Sequence, residues 1–257
     1  MRSSTTSPNI IRITEIGVAA LLWLLVWQGG SMAIQQEMLL ASPVSVARTL
    51  FSLVQTGSFW RSILFSLSRM GTGFLLAFSV GLLLAVLSYR LHLVAVLFAP
   101  FMSVVKAAPV ASYTIICLLF LPSRNLSACI SFLMALPIVY TNVLEGLHAT
   151  NKQLLEMASV FRVSKWRRVV YIYFSQLTPF LVSACSLSLG ICWKSGIAAE
   201  VIGLPRGSIG ENMYQAKVFV DTKTLLAWTI VVILISFLFE KAVLALLKQL
   251  TRKIERM

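Results

Sequence analysis

Long apolar runs recur along the whole chain, and polar residues collect in the short segments between them. Six runs approach the roughly 20 residues that an α-helix needs to cross a bilayer, and Pro100 and Pro109 leave an apolar lead-in before the third. The pattern predicts an all-α, polytopic membrane protein in which residues 1–257 form a single transmembrane domain. The predicted spans are about 16–34, 62–88, 103–121, 125–146, 176–199 and 224–247.

The second predicted span carries small residues at every fourth position. Gly73, Ala77, Gly81 and Ala85 follow Arg69 at this spacing. Residues four apart share one face of a helix, and a face of small side chains allows another helix to approach closely. We therefore expect this face to pack against protein and not against lipid.

Composition and charge agree with a membrane protein. The chain is 58% hydrophobic and 12% charged, whereas soluble domains carry about 25% charged residues. The net charge of +13 favours contact with an anionic membrane surface and control of topology over a nucleic-acid partner. The four cysteines lie in apolar runs without CxxC spacing, which indicates buried small hydrophobes and no disulfide framework or metal site.

The distribution of basic residues predicts the orientation. If the N-terminus is cytoplasmic, 13 of the 22 lysines and arginines lie on the cytoplasmic side, and the C-terminus is cytoplasmic too. Arg2 and the apolar run after it resemble a signal peptide. The run continues to Ala33 without a convincing cleavage site, so we expect an uncleaved first span.

Residues for catalysis do not converge anywhere in the sequence. His92 and His148 are the only histidines, and neither falls in a zinc or nucleophile motif. Residues 190–195, GICWKS, lack the glycine that precedes lysine in a phosphate-binding loop. We therefore expect neither a catalytic site nor a metal site, and no cofactor bound by this chain. The chain is not expected to be an enzyme.

The most charged segment, residues 154–180, also has apolar residues at helical spacing. Leu154, Met157, Ala158 and Phe161 would form a ridge on a short amphipathic helix. Such a helix could present the ridge to a cytoplasmic partner, or it could lie on lipid headgroups. The spacing alone does not separate these alternatives.

The same segment resembles the EAA motif of ABC importer permeases, EAAxxxG followed by IxLP. Glu156, Ala158 and Ile172 match the motif, while Met157 replaces an alanine, Arg162 the glycine and Phe174-Ser175 the Leu-Pro pair. Further landmarks over residues 40–247 are similar, in order, to permeases of the nitrate, sulfonate and taurine importer group. These landmarks are Ala41-Ser42-Pro43, Arg69, Gly73-Phe74, Lys106, Pro109, Asn142, Gly146, Ala199-Glu200, Ile202-Gly203, Gly207 and Gly210.

This resemblance implies partners and a location. Two permease copies, as a homodimer, would form the pathway in the bacterial inner (plasma) membrane. Separate ATPase subunits would carry ATP and Mg, and an extracytoplasmic solute-binding protein would deliver a small, anionic solute. The alternatives are a permease for a heterocyclic vitamin precursor, or a secondary transporter that works without an ATPase.

The resemblance also implies site residues. The coupling loop, predicted at 147–175, would supply a cytoplasmic coupling helix that contacts the ATPase through Leu154, Leu155, Glu156, Met157, Ala158, Phe161, Arg162 and Ser164. The motif's glycine adopts a left-handed conformation freely, whereas arginine there costs about 1–2 kcal/mol. Either the turn is built differently, or Arg162 makes a compensating contact with the ATPase, and we hypothesise the contact.

Among the charged residues in or beside the predicted spans are Lys106, Lys194 and Glu200. A charge at the bilayer centre costs about 2.5–3.5 kcal/mol, so each needs a partner or water. Lys106 and Glu200 could tie two spans together as an ion pair, or Lys106 or Lys194 could line the pathway and attract an anion. The glycine-rich segment 203–210 predicts an outward turn followed by a re-entrant or interfacial piece to about residue 220, or an ordinary loop.

Overall fold

The computed structural model describes residues 8–255, so the prediction that involves Arg2 lies outside the described residues. Throughout the described part the regular structure is helical, as the apolar pattern predicts. The helices are α1 Pro8–Ile34, α2 Pro43–Val54, α3 Gly57–Arg90, α4 His92–Ala107, α5 Val110–Phe120, α6 Ser123–His148, α7 Lys152–Val160, α8 Lys165–Arg168, a π-helical turn Val169–Phe174, α9 Ser175–Gly203, α10 Ile209–Val218 and α11 Thr222–Glu255.

Within residues 8–255, five helical stretches are long and apolar enough to cross a membrane, and a sixth span results if α4 and α5 count as one bent span. The all-α, polytopic fold is therefore confirmed. The straight spans coincide with the first, second, fourth, fifth and sixth predicted runs. They are Gly17–Ile34, Gly57–Arg90, Ser123–His148, Lys165–Gly203 and Thr222–Gln249.

The third predicted span, 103–121, is wrong as a single straight helix. α4 and α5 meet at an angle of 107°. Pro109 has no N–H to donate and disfavours a helical conformation in the residue before it. Ala108 accordingly takes extended backbone angles, φ −81° and ψ 144°, and the helix breaks there.

The helix that contains the fifth predicted span begins before residue 176. α8, the π-helical turn and α9 follow one another without a break from Lys165 to Gly203. Residues 149–164 separate α6 from this helix, and the coupling loop of 147–175 stays a prediction. We call residues 149–168 the coupling segment below, because this range contains α7 and the turn that leads into the long helix.

The described residues fall into two compact units, one of residues up to Phe59 together with Asn212–Ile230, and one of Trp60–Glu211 together with Val231 onward. That the whole chain forms one domain stays a prediction. In the first unit, Ser42 caps α2 by accepting a hydrogen bond from the Ser45 N–H, and Pro43 follows at the first helical position. Ala41, Val46 and Ala227 form its small core.

The second unit is built on close contacts of α6 with α3 and α9. A Cβ at Gly73 of α3 would lie 2.5 Å from the Ala128 carbonyl oxygen of α6, and one at Gly196 of α9 would lie 2.7 Å from the Ser131 hydroxyl of α6. Ala77 and Ala85 are fully buried. The prediction that the small-residue face of the second span packs against protein is confirmed.

Candidate functional site

The coupling segment begins with a capped helix that is tied to the start of α9. The Asn151 side chain accepts a hydrogen bond from the Gln153 N–H at 2.8 Å, which satisfies one of the free donors at the start of α7. The Asn151 N–H donates to the Gln176 Oε1 at 2.8 Å. The first turn of α7 is therefore attached to the first turn of α9.

One side of α7 carries a ridge of exposed apolar residues. We call Leu154, Met157, Val160 and Phe161 the apolar ridge, and all four are exposed, with Phe161 at 75%. Leu155 is half-buried, and Glu156 and Ser164 are exposed. Ala158 differs from the sequence expectation because it is only 3% exposed. It lies on the side of α7 that faces the rest of the chain, so Val160 takes its place in the ridge.

The turn after α7 has the geometry that the glycine of the motif would give. Arg162 adopts a left-handed backbone conformation with φ +52°. The Val163 N–H donates to the Ala158 carbonyl and the Arg162 N–H to the Ser159 carbonyl, which is the hydrogen-bond pattern of a Schellman motif. The alternative that the turn is built differently is therefore wrong, and the cost of a left-handed arginine remains.

Arg168 clamps this turn from the far side. Its Nε donates to the Val163 carbonyl at 3.0 Å, and its terminal nitrogen donates to the Ala158 carbonyl at 3.1 Å. One guanidinium thus joins the end of α7, the turn and the last residue of α8. From the sequence, Arg168 is predicted only to help set the membrane orientation. Its acceptors are main-chain carbonyls, which every residue has, so no sequence motif predicts these hydrogen bonds.

Glu200, near the end of α9, is fully buried and holds the start of α10. Its Oε2 accepts hydrogen bonds from the Ser66 hydroxyl at 2.7 Å and from the Gly210 N–H at 3.1 Å. The Ser66 hydroxyl in turn accepts from the Ile209 N–H at 3.1 Å. A carboxylate is favoured at a helix N-terminus by the free N–H groups and the helix dipole, so Glu200 and Ser66 together cap α10.

The third N–H group of α10, that of Glu211, is capped by a residue close in sequence. The Ser208 hydroxyl accepts from the Glu211 N–H at 3.0 Å, and the Glu211 carboxylate accepts from the Gly207 N–H at 2.6 Å. The pair Ser208 and Glu211 has the S-x-x-E spacing of a capping box. The structure gives a turn followed by the helix α10, and whether this piece faces outward and is re-entrant or interfacial stays a prediction.

The lysines do not pair with Glu200. The Lys106 ammonium lies at the α4–α5 bend and donates to the Thr141 hydroxyl of α6 at 3.4 Å. Lys194 is exposed on α9 and makes no hydrogen bond or ion pair with any residue of 8–255. The expected ion pair between Lys106 and Glu200 is therefore wrong, because Glu200 is held by Ser66 and by the start of α10.

Glu240 is another carboxylate on a spanning helix, and its role was not predicted from the sequence. Glu240 of α11 accepts a hydrogen bond from the Ser186 hydroxyl of α9 at 2.5 Å. Its partner is 54 positions away in the sequence, so no local pattern reveals it. Glu240 links two helices, and we give it no role in transport.

Comparison with known proteins decides the family. The family model described as "Binding-protein-dependent transport system inner membrane component" matches residues 77–256. The chain belongs to this family. It is therefore a membrane-embedded permease component of a transport system, and we call it the permease from here on.

Individual relatives are permeases of ABC-type transport systems. A putative aliphatic sulfonates transport permease of Bacillus subtilis is 23% identical over 229 residues, which is 88% of this chain and 83% of the relative. The taurine transport system permease of Escherichia coli is 22% identical, over 92% of this chain and 88% of the relative. A nitrate import permease of Synechocystis is 25% identical, over 76% and 73%. The suspected group is confirmed.

Proposed function

We propose that the permease forms the translocation pathway of an ATP-driven importer for a small anionic solute, with its coupling segment docked on a cytoplasmic ATPase. The observation that carries the proposal is the exposed apolar ridge on a helix fixed at both ends. An interfacial helix on lipid needs no such anchoring. A helix that transmits force does, and α7 is bound to α9 through Asn151 at its start and to α8 through Arg168 at its end.

The charges around the ridge suggest the character of the docking groove. Arg162, Lys165 and Arg167 are exposed beside it. A groove that accepts Leu154, Met157, Val160 and Phe161 would be apolar at its base and acidic at its rim. Movement of the ATPase would displace α7, and the two anchors would pass the displacement into the long helix that ends at Gly203.

Two exposed cations support an anionic solute. Lys106 at the α4–α5 bend and Lys194 on α9 both lie on elements of the spanning bundle, and a charge at that depth needs water or a counter-charge. The three relatives named above are described as permeases for aliphatic sulfonates, taurine and nitrate. We propose that a second permease copy completes the pathway around Lys194, and that an extracytoplasmic binding protein supplies the solute.

The docking proposal is tested by copurification of the permease with its ATPase. Phe161→Asp places a carboxylate in the ridge and is expected to abolish association, because the acid would be desolvated in an apolar groove and would face its acidic rim. Phe120→Asp is the matched control. Phe120 is 81% exposed and is separated from the coupling segment by the whole length of α6, about 39 Å at 1.5 Å per residue.

Loss of the ATPase in Phe161→Asp alone, with both variants monodisperse in detergent, supports the docking surface. Equal retention of the ATPase by both variants would contradict it. Equal loss would also contradict it, since a remote acid would then act as strongly as one in the ridge.

The solute proposal is tested by uptake of radiolabelled taurine and nitrate in cells that lack their own importers. Lys194→Gln is expected to lower uptake at least tenfold and Lys194→Arg to retain most of it, because the positive charge is what attracts the anion. Lys217→Gln, an exposed lysine of α10, serves as the control. Uptake of a neutral heterocycle in preference to both anions would contradict the anionic solute and favour the vitamin-precursor alternative.

A further inference from the structure

An apolar cleft of about 220 Å³ lies beside the end of α3. Val86, Leu147, Val169, Phe174 and Leu177 form its apolar walls, and Tyr89, Tyr173 and Arg90 stand at its polar side. The walls come from α3, α6, the π-helical turn and α9. The cleft is therefore bordered by four elements that all belong to the second unit.

In a bilayer the cleft would open near the edge of the hydrocarbon core. α3 has 34 residues and is about 51 Å long at 1.5 Å per residue, so its ends reach beyond the roughly 30 Å hydrocarbon core. Arg90 is its last residue, and His148, the last residue of α6, packs on Tyr89 with ring centroids 5.4 Å apart. Tyr173 meets the same ring at 6.3 Å. Tyrosines grouped at one level are typical of the headgroup region.

A free positive charge stands at the mouth. Arg90 is exposed, and within residues 8–255 it makes no hydrogen bond or ion pair. Arg168 directly precedes the π-helical turn, but its guanidinium is already engaged by two carbonyls. Arg90 is therefore the cation beside the cleft that remains available to a ligand.

We propose that this cleft binds an anionic phospholipid of the inner leaflet, with one acyl chain between α3 and the π-helical turn and the phosphate on Arg90. The apolar walls suit an alkyl chain, and the cation at the mouth complements the phosphate. The inference rests on the proposed function in one respect, because that function puts this end of α3 at the cytoplasmic leaflet, where anionic lipids attract basic residues.

The site would also bear on coupling. Val169 and Tyr173 line the cleft and belong to the turn that directly follows Arg168. A lipid chain held there packs against the joint between the coupling segment and α9. The proposed lipid would therefore contact the segment that connects α7 to α9.

The test measures lipid retained by the purified permease without any ATPase, so its result does not depend on whether the permease couples to one. The protein is stripped of lipid in detergent and exposed to equimolar phosphatidylglycerol and phosphatidylcholine of identical chains, and bound lipid is counted by native mass spectrometry. We expect wild-type protein to prefer phosphatidylglycerol about fivefold, the effect of one basic residue near a lipid surface.

Two variant pairs locate the site. Arg90→Gln is expected to abolish the preference, whereas Arg61→Gln, an exposed arginine at the other end of the same helix, keeps it. Val86→Trp fills the cleft and is expected to remove the retained lipid, whereas Leu83→Trp, one turn away and 59% exposed, leaves it. These results together would support the site.

Other outcomes would overturn it. One is equal retention of the two lipids by wild-type protein, and another is an equal effect within either pair of variants. Displacement of the lipid by millimolar inorganic phosphate would also overturn it, since it would mean that Arg90 binds a phosphate group without an acyl chain in the cleft.

Discussion

At the scale of single residues, two substitutions of Arg162 distinguish the effect of backbone strain from the effect of a side-chain contact with the ATPase. Arg162→Gly removes both the left-handed strain and the side chain, whereas Arg162→Ala removes the side chain and keeps the strain. Glycine should stabilise the coupling segment by about 0.5–1 kcal/mol relative to alanine, measured by hydrogen exchange of residues 158–164.

The contact hypothesis adds an expectation for ATPase binding. If the Arg162 guanidinium touches the ATPase, both variants bind it less tightly, and the glycine variant loses less. Unchanged ATPase affinity and unchanged transport in Arg162→Ala would rule out a specific Arg162 contact.

Arg168 gives a second prediction at this scale. Arg168→Gln removes the charged donors to the Ala158 and Val163 carbonyls, and hydrogen bonds from charged groups contribute about 1.5–3 kcal/mol. We expect faster hydrogen exchange in the turn and ATP hydrolysis that no longer drives uptake, while the ATPase still copurifies. Arg61→Gln is the control, because Arg61 is exposed at the start of α3, outside the coupling segment. Full coupling in Arg168→Gln would show that the clamp is not needed.

At the scale of elements, the cap on α10 can be tested through Glu200. Glu200→Ala leaves the Ser66 hydroxyl and the Gly210 N–H without an acceptor, and each buried unsatisfied group costs about 1–3 kcal/mol. Glu200→Gln keeps one acceptor oxygen, so it should lose less thermal stability in detergent than alanine. Melting temperatures of both variants equal to that of the wild-type permease would mean that the cap contributes nothing.

The sequence predicts elements well where length and hydrophobicity alone determine them. α3, α6 and α11 follow from uninterrupted apolar runs. Pro109 marks a break, but the 107° angle depends on packing that no local pattern encodes. α2 is apolar but too short for a hydropathy argument, and α10 is both short and polar. Ser42-Pro43 and the Ser208–Glu211 spacing were usable start signals for these two helices.

The candidate site was predictable only in part, because helical spacing shows which residues share a face but not what that face contacts. The exposed ridge of α7 follows from helical spacing, so the sequence identifies Leu154, Met157 and Phe161. Ala158 has the same spacing, and only its packing against the rest of the chain distinguishes it from the ridge. The partner of Glu200 is 134 positions away, and charge alone suggested Lys106. A buried carboxylate can be satisfied by a hydroxyl and a helix N-terminus as well as by a cation.

At the scale of the whole molecule, orientation is the first thing to test. In a background without the four native cysteines, Ser159→Cys on α7 is expected to react with an impermeant maleimide only in inverted vesicles. Ser58→Cys, at the opposite end of α3 from Arg90, is expected to react in intact cells. The reverse pattern would mean that the coupling segment lies outside and could not meet a cytoplasmic ATPase.

The central claim is that the permease imports its solute at the expense of ATP hydrolysed by a separate subunit. The most direct measurement is uptake of radiolabelled taurine into proteoliposomes that contain the permease, its ATPase and its binding protein, with ATP sealed inside. We predict uptake that requires internal ATP and that disappears with Phe161→Asp but not with Phe120→Asp. Equal uptake without ATP or ATPase, driven by an ion gradient, would contradict it.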